Sequence, residues 1–255
     1  MARRLKMAWI ETQSPNFAAR HAEVDGEDAD GVLELLEGIR QQLSEVFPVV
    51  PEGVTAVIHS NRAQLLISQP VAAALRALSA PTSRRYVTGW YSRDEIHLLA
   101  PRLLAERASS VLGSLEMLML APAALYAQLV AGLSNPGLPP PFTLRSWADA
   151  PSWAWLVLGA GQWFSGQTVH ARPAIANRLR ESEQPSFPPK LRDAQLLGGT
   201  VFDLLASESG EQAAIRLATE APGDQRALIA RNFPGRSFGD TEGVWRAHLA
   251  RLGGI

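Results

Sequence analysis

The spacing of apolar residues changes partway along the chain, and this change constrains the fold more than any other feature. Before residue 107, short segments with loose alternation or β-branched residues stand beside one clear amphipathic helical pattern. From Arg107 onward the three- and four-residue spacing of helices predominates. The sequence therefore predicts an α+β fold, in which a mixed α/β N-terminal lobe (1–106) packs on a mostly helical C-terminal lobe (107–255) as one structural unit.

Individual elements follow from the same patterns. Residues 16–24 and 54–59 are typical of strands, and residues 89–100 of a strand pair or one long strand. Residues 27–47 form an amphipathic helix that ends before Pro48. In the second half we expect helices near 108–120, 122–131, 151–165, 171–181, 190–208, 211–220 and 241–252. Ser237 and Asp240 resemble a capping box before the last of these.

Composition excludes several classes of function. The chain has 255 residues, 46% of them hydrophobic, which is enough for a packed core, and it contains no cysteine. Disulfides, thiolate metal sites and cysteine nucleophiles are therefore excluded. A net charge of −1 argues against nucleic acid or an anionic membrane as a partner. No long apolar run follows the basic start, and the stretches 115–131 and 153–161 are too short or interrupted to span a membrane, so we expect a cytoplasmic protein.

Four stretches, taken in order, resemble the gluzincin, or peptidase MA-like, zinc metallopeptidases. Residues 86–101 are similar to the edge strand that pairs with bound peptide in that family, and residues 115–130 to its active-site helix. Residues 151–166 (Pro-Ser-Trp-Ala-Trp-Leu-Val-Leu-Gly-Ala and onward) resemble the next helix, with its pattern Pro-x-Trp-Leu-x-Glu-Gly-x-Ala. Residues 234–252 are similar to the closing turn and helix. The resemblance implies a zincin-like fold.

The zinc-binding motif of that family is missing from this chain. The family's His-Glu-x-x-His pentad aligns with residues 121–125, where Ala121, Pro122 and Leu125 replace the ligands and the base, and the glutamate ligand of the next helix aligns with Leu158. Alanine and leucine side chains have no donor atoms, so we expect no zinc cofactor and no metal-hydroxide peptide cleavage. We expect Ala121, Leu125 and Leu158 to fill the space of the metal as a dry apolar contact, and Pro122 to break the helix at Leu120–Ala121.

The predicted function is a non-catalytic binding or interaction role that uses the vestigial cleft, with a peptide or protein as the possible ligand. Apolar walls with a few polar groups are typical of a ligand pocket. The candidate cleft-lining residues are Tyr126, Gln128, Trp155, Gln162, Trp163, Gln167, His170 and His97. Trp147, Trp153 and Phe164 add to the aromatic side chains expected around this cleft.

The alternative is an active hydrolase, either with displaced metal ligands or with a serine nucleophile. Displaced ligands would be drawn from His97, His170, Glu95 and Glu116, and the serine would be Ser165. A helix C-cap at Gly166 is the simpler interpretation of the segment around Ser165. Residues 157–161 also contain a Gly-x-Gly typical of dinucleotide binding, but no third glycine follows, so close contact between helices is the preferred explanation.

Overall fold

A five-stranded mixed sheet forms the first part of the protein. The computed structural model describes residues 9–135, 138–139, 144–220 and 223–254, with the side chains of 144–147 excepted. The strands are β1 (Ile10–Gln13), β2 (Phe17–His21), β3 (Val54–His59), β4 (Gly89–Tyr91) and β5 (Glu95–Leu99), in the order β1-β2-β3-β5-β4. The three central strands β2, β3 and β5 are parallel, and both terminal strands are antiparallel to their neighbours.

Helices make up most of the remaining described chain. They are α1 (Gly26–Ser44), α2 (Arg62–Ser68), α3 (Pro70–Leu78), α4 (Leu104–Arg107), α5 (Ser114–Met119), α6 (Ala121–Ser134), α7 (Leu144–Phe164), α8 (Gln167–His170), α9 (Arg172–Leu179), α10 (Leu191–Ser209), α11 (Glu211–Thr219), α12 (Gln225–Asn232) and α13 (Phe238–Gly253). Short 3-10 segments span Glu23–Asp25, Ser83–Tyr86 and Pro101–Leu103. No helix in these described ranges is both long and apolar enough to cross a bilayer.

One face of the sheet packs against α1 and α6. Because side chains alternate along a strand, Phe17, Ala56, Ile58, Ile96 and Leu98 all point to this face, where they are buried in the main hydrophobic cluster. The same cluster contains side chains from α7, α10 and α13. The sheet and the helical half therefore share one core.

The helical half is organised around α7 and α10, which lie side by side, with α6 on the other side of α7. Helix α13 packs on α9 and α10, where the indole Nε1 of Trp245 donates to Thr200 Oγ1 at 2.8 Å. Arg178 of α9 and Asp193 of α10 form a buried bidentate ion pair at 2.6 and 3.0 Å. Such a pair is tolerated away from water because both charges are neutralised and hydrogen-bonded.

The mixed α/β class is confirmed, as are several local predictions. The strand at 54–59 has the predicted bounds, and the chain breaks between α5 and α6 at Leu120, with Pro122 in the first turn of α6. The side chain and backbone of Ser237 and Asp240 make both hydrogen bonds of a capping box at the start of α13. Each of these features depends on residues that are neighbours in sequence.

Two predicted helices are wrong in their extent. The helix expected at 108–120 covers only 114–119, because Gly113 has φ of +81°, and an added Cβ would lie 2.3 Å from the carbonyl oxygen of His170. The helix expected to begin at Pro151 begins at Leu144. A proline inside a helix removes the hydrogen bond to the carbonyl four residues earlier and crowds that carbonyl, but here the helix continues through Pro151. Strand β1 and the helices α2, α3, α4, α8 and α12 are not predicted by the pattern.

Candidate functional site

Close backbone contacts bring β4, α6 and α7 together at one place. A Cβ added to Gly89 of β4 would lie 2.6 Å from Leu125 Cδ1, and one added to Gly161 of α7 would lie 2.5 Å from Gln128 Cγ and 2.7 Å from Ala124 O. Real Cβ atoms do not approach other atoms this closely, so only glycine fits at both positions. Because these two positions have no side chain, β4 and α7 pack directly on α6. The helices predicted at 122–131 and 151–165 are therefore adjacent, as expected.

A small cavity of about 10 Å³ lies at this junction. Ala121 and Leu125 of α6 and Leu158 of α7 all line it, and each is at least nine-tenths buried. The three positions aligned with the zinc ligands are therefore brought to one place. We expected a purely apolar contact here, but polar side chains also line the cavity: Thr88, Gln128, Gln167 and Gln195.

Two of the glutamines at this junction donate hydrogen bonds to backbone carbonyls of other segments. Gln167 Nε2 donates to the carbonyl of Met117 at 2.6 Å, and Gln195 Nε2 donates to the carbonyl of Tyr86 at 3.4 Å. The Oε1 atom of Gln167 is buried and accepts no hydrogen bond from the described residues. A cavity of this size with a free acceptor in its wall is at the lower limit for one water molecule.

The residues at this junction do not fit a zinc ion. Zinc requires imidazole, carboxylate or thiolate donors at about 2.0–2.3 Å. Ala121, Leu125 and Leu158 supply only carbon, and the amide oxygens of glutamine are poor substitutes for these donors. Within the described residues, no group of three or more histidine and carboxylate side chains is arranged to hold a metal ion.

A larger cavity of about 210 Å³ lies beside this junction and shares Leu75, Trp90 and Leu158 with it. It lies between α3, the terminal strand β4, the middle of α7 and the start of α10. Its lining residues are Val71, Ala74, Leu75, Leu78, Trp90, Tyr91, Leu138, Pro139, Ala150, Pro151, Trp153, Ala154, Val157, Leu158 and Leu191. None of these carries a charge, and burial raises the pKa of Tyr91, which keeps its phenol neutral. We call this space the apolar cavity.

Helix α3 forms one wall of the apolar cavity, although the sequence patterns did not single it out. Val71, Ala74, Leu75 and Leu78 are its lining residues, and Leu78 is 62% exposed. The signal was present, because these positions follow the i, i+3, i+4, i+7 spacing of one helix face after a proline at the first helical position. What the pattern does not reveal is that this face lies over β4.

Several predicted cleft residues are buried elsewhere and line neither of these two cavities. Tyr126 faces the sheet, where its hydroxyl donates to Pro51 O and its ring packs edge-on against Phe17. Trp155 is buried beside Trp153. Gln162 joins α7 to α10, because its Nε2 donates to Ala194 O at 2.9 Å and its Oε1 accepts from Gly199 N at 2.7 Å.

Three more predicted cleft residues, Trp163, His170 and His97, also lie outside both cavities. Trp163 is half-buried against Phe164 and Phe202, and half-buried His170 ends α8, where its backbone meets Gly113. His97 lies on the opposite face of the sheet from α6, because its neighbours Ile96 and Leu98 point to α6. Trp153 lines the apolar cavity, and the side chain of Trp147 lies outside the described residues.

On that opposite face, two histidines stack on each other. His59 Nε2 lies 3.1 Å from His97 Nδ1, and His97 Nε2 lies 3.1 Å from Glu95 Oε2. Burial and the neighbouring His97 lower the pKa of His59 from 6.5 to about 4. Burial also lowers the pKa of His97, although Glu95 acts in the opposite direction. Both rings are therefore neutral near pH 7.

Neither Ser165 nor residues 157–161 have the surroundings that a serine nucleophile or a dinucleotide-binding loop requires. Ser165 Oγ donates to the carbonyl of Gln162 at 3.3 Å, and Gly166 has the left-handed φ of +79° that is typical of a helix end. Residues 157–161 lie inside α7 and not in a strand followed by a loop. A Cβ on Gly159 would lie 2.6 Å from the backbone of Gly198, so the glycine pair permits close contact between α7 and α10.

No protein-family model, no curated protein and no solved structure matches this chain.

Proposed function

We propose that this chain is a non-catalytic protein on a gluzincin-like, zincin-like scaffold, and that it binds an extended peptide through one large apolar side chain in the apolar cavity. The observation that carries the proposal is the cavity itself, with a lining of uncharged, almost wholly apolar side chains beside the terminal strand of the sheet.

The order of elements supports the scaffold. A mixed sheet ends in a short antiparallel strand, β4, and the helix beneath that strand, α6, packs against the following long helix, α7. The positions aligned with the zinc ligands meet at the junction of these three elements, where their side chains supply only carbon. A scaffold of this type without donor atoms retains a cleft but not metal chemistry.

The size and position of the apolar cavity support the choice of ligand. An apolar cavity of about 150 Å³ is large enough for benzene, so about 210 Å³ accommodates one aromatic or large aliphatic side chain. Trp90 and Tyr91 of β4 are part of the wall. A peptide that extends alongside a terminal strand presents alternate side chains to such a pocket, which gives specificity from one buried residue.

The test is to fill the cavity from α3. Ala74 lines the apolar cavity, whereas Ala77, which is also exposed and lies on the same helix, does not line it. We expect Ala74→Trp to weaken binding of a peptide with a central phenylalanine by about tenfold or more, since the indole occupies the same space, and Ala77→Trp to leave it unchanged. Isothermal titration with a short peptide library, in which only the central residue varies, measures both effects.

The central residue of the peptide provides the second comparison. Binding should fall in the order tryptophan or phenylalanine, leucine, alanine and aspartate, because each step removes buried apolar area or adds a charge. Equal affinity for all central residues, or equal loss in the two tryptophan variants, would contradict the proposed cavity. Peptide hydrolysis by the natural chain would contradict the non-catalytic assignment.

A further inference from the structure

The small cavity and the apolar cavity meet across three side chains. Leu75, Trp90 and Leu158 line both of them. The two spaces differ in character, because the apolar cavity has about 210 Å³ and almost wholly apolar walls, whereas the small cavity has about 10 Å³ and several polar side chains in its wall. A group bound in the apolar cavity therefore has polar atoms close to one of its ends.

Gln167 presents an unpaired acceptor at the small cavity. The residue is 2% exposed, and its Nε2 donates to the carbonyl oxygen of Met117 at 2.6 Å. Because a carbonyl oxygen only accepts, this hydrogen bond fixes the orientation of the amide. The other end of the amide, Oε1, is buried and receives no hydrogen bond from the described residues. A buried acceptor without a donor is unfavourable, so a ligand that supplies a donor gains affinity.

Gln128 of α6 adds a second amide to the wall of the same cavity. It is 2% exposed and makes no hydrogen bond through its side chain within the part of the chain that the structure describes. A primary amide has both donor and acceptor atoms. The space is about the size of one water molecule, so a single atom placed there lies against both Gln128 and Gln167. A hydroxyl suits this space, because its one oxygen both donates and accepts.

Given the proposed binding of a peptide in the apolar cavity, we propose that the site selects tyrosine at the buried position of that peptide, and that Gln167 determines this selection. The aromatic ring occupies the apolar cavity. The phenol oxygen passes Leu158 into the small cavity, where it donates to Gln167 Oε1 and accepts from the amide of Gln128. Phenylalanine fills the same apolar space but leaves Oε1 unpaired, and a site with a buried hydrogen-bonding group discriminates against a ligand without the partner.

Peptides that differ only at the central residue test this selection on the natural chain by isothermal titration. We expect tyrosine and 4-aminophenylalanine to bind about tenfold more tightly than phenylalanine, since both supply a donor to a buried acceptor. O-methyltyrosine should bind more weakly than phenylalanine, because it has no donor and its methyl group exceeds a space of about 10 Å³. Phenylalanine should in turn bind more tightly than alanine, and this difference measures the apolar cavity alone.

The variant Gln167→Met removes the acceptor and keeps the length of the side chain. It should leave a preference for tyrosine over phenylalanine of about twofold or less. Gln162→Met is the matched control, because Gln162 is also a buried glutamine that donates to a backbone carbonyl, Ala194 O, and it lines neither cavity. In the control the preference should equal that of the natural chain. The ratio of two affinities within one folded variant does not depend on how far the substitution lowers its stability.

The outcomes separate the selection of tyrosine from the peptide binding on which it rests. Equal affinities for tyrosine and phenylalanine, both well above that of alanine, would leave the apolar cavity as a binding site and overturn the role of Gln167. Equal affinities for all three would remove the proposed function itself. A preference for tyrosine that persists in Gln167→Met would show that the acceptor lies elsewhere. If that variant does not fold, O-methyltyrosine decides on the natural chain, because an affinity equal to that of tyrosine contradicts the proposed hydrogen bond.

Discussion

Gly159 on α7 and Gly198 on α10 are in direct backbone contact. A Cβ on Gly159 would lie 2.6 Å from both the carbonyl carbon and the carbonyl oxygen of Gly198, and one on Gly198 would lie 2.9 Å from Gly159 N and Cα. The two longest helices of the helical half meet at this point, and the neighbouring Leu158 lines the small cavity. The position of Leu158 therefore depends on how closely α7 and α10 approach.

Gly159→Ala should destabilise the protein by about 1–3 kcal/mol, because the added methyl group meets backbone atoms that cannot move independently. Gly38→Ala is the matched control in α1, where an added Cβ meets nothing within 4 Å. There we expect stabilisation by about 0.5–1 kcal/mol, since alanine has the higher helix propensity. Urea unfolding monitored by circular dichroism measures both free energies, and a loss of stability no larger in Gly159→Ala than in Gly38→Ala would contradict the contact.

Restoring the metallopeptidase motif tests the proposed scaffold geometry. The variant Ala121→His, Pro122→Glu, Leu125→His and Leu158→Glu should bind zinc, because its new donors start from positions that line one cavity. At zinc concentrations 100-fold above the Kd, the stabilisation is about 2.7 kcal/mol, which corresponds to a rise of about 5–10 °C in melting temperature. The natural chain should show no zinc-dependent rise.

The control for the zinc experiment is the same variant with Leu158 retained, which has one ligand fewer and should bind zinc more weakly. Both variants replace buried apolar groups with polar ones, so both are expected to melt below the natural chain without zinc. Equal zinc responses in the two variants would show that Leu158 does not occupy the position of the third ligand. A chelator-sensitive response of the natural chain would reveal ligands elsewhere.

Acidification should destabilise the protein through His59. Its pKa is lowered from 6.5 to about 4 in the folded state, so the neutral ring is favoured there. The associated stabilisation is complete above pH 6.5 and is lost as the pH falls from about 6.5 to about 4. Each pKa unit corresponds to about 1.4 kcal/mol, so the total is up to about 3 kcal/mol.

Urea unfolding at pH 7 and pH 4.5 measures this dependence. His59→Asn should reduce the difference in unfolding free energy between the two pH values, whereas His170→Asn, at a half-buried residue outside the histidine pair, should leave it as in the natural chain. Carboxylates contribute equally to all three proteins, so only the difference between the variants is diagnostic. Identical pH dependence in all three would exclude His59 as its source.

Local features of the fold were predictable from the sequence because each depends on neighbouring residues. Pro122 ends one helix and begins the next, since it lacks an amide donor, and Ser237 with Asp240 caps α13. β-Branched residues predict β3, and the i, i+3, i+4 spacing predicts α1. The convergence of Ala121, Leu125 and Leu158 was expected from the order of four stretches and not from any single pattern.

Only the tertiary structure decided which surfaces meet. Helix α3 lies against β4 and closes the apolar cavity, and Tyr126, Gln162 and His97 point away from it, although their residue types suited a cleft. Periodicity shows which face of an element is apolar, but it does not show what that face packs against. The packing partner of each face is determined by many weak long-range contacts together, and a short segment of sequence contributes only a few of them.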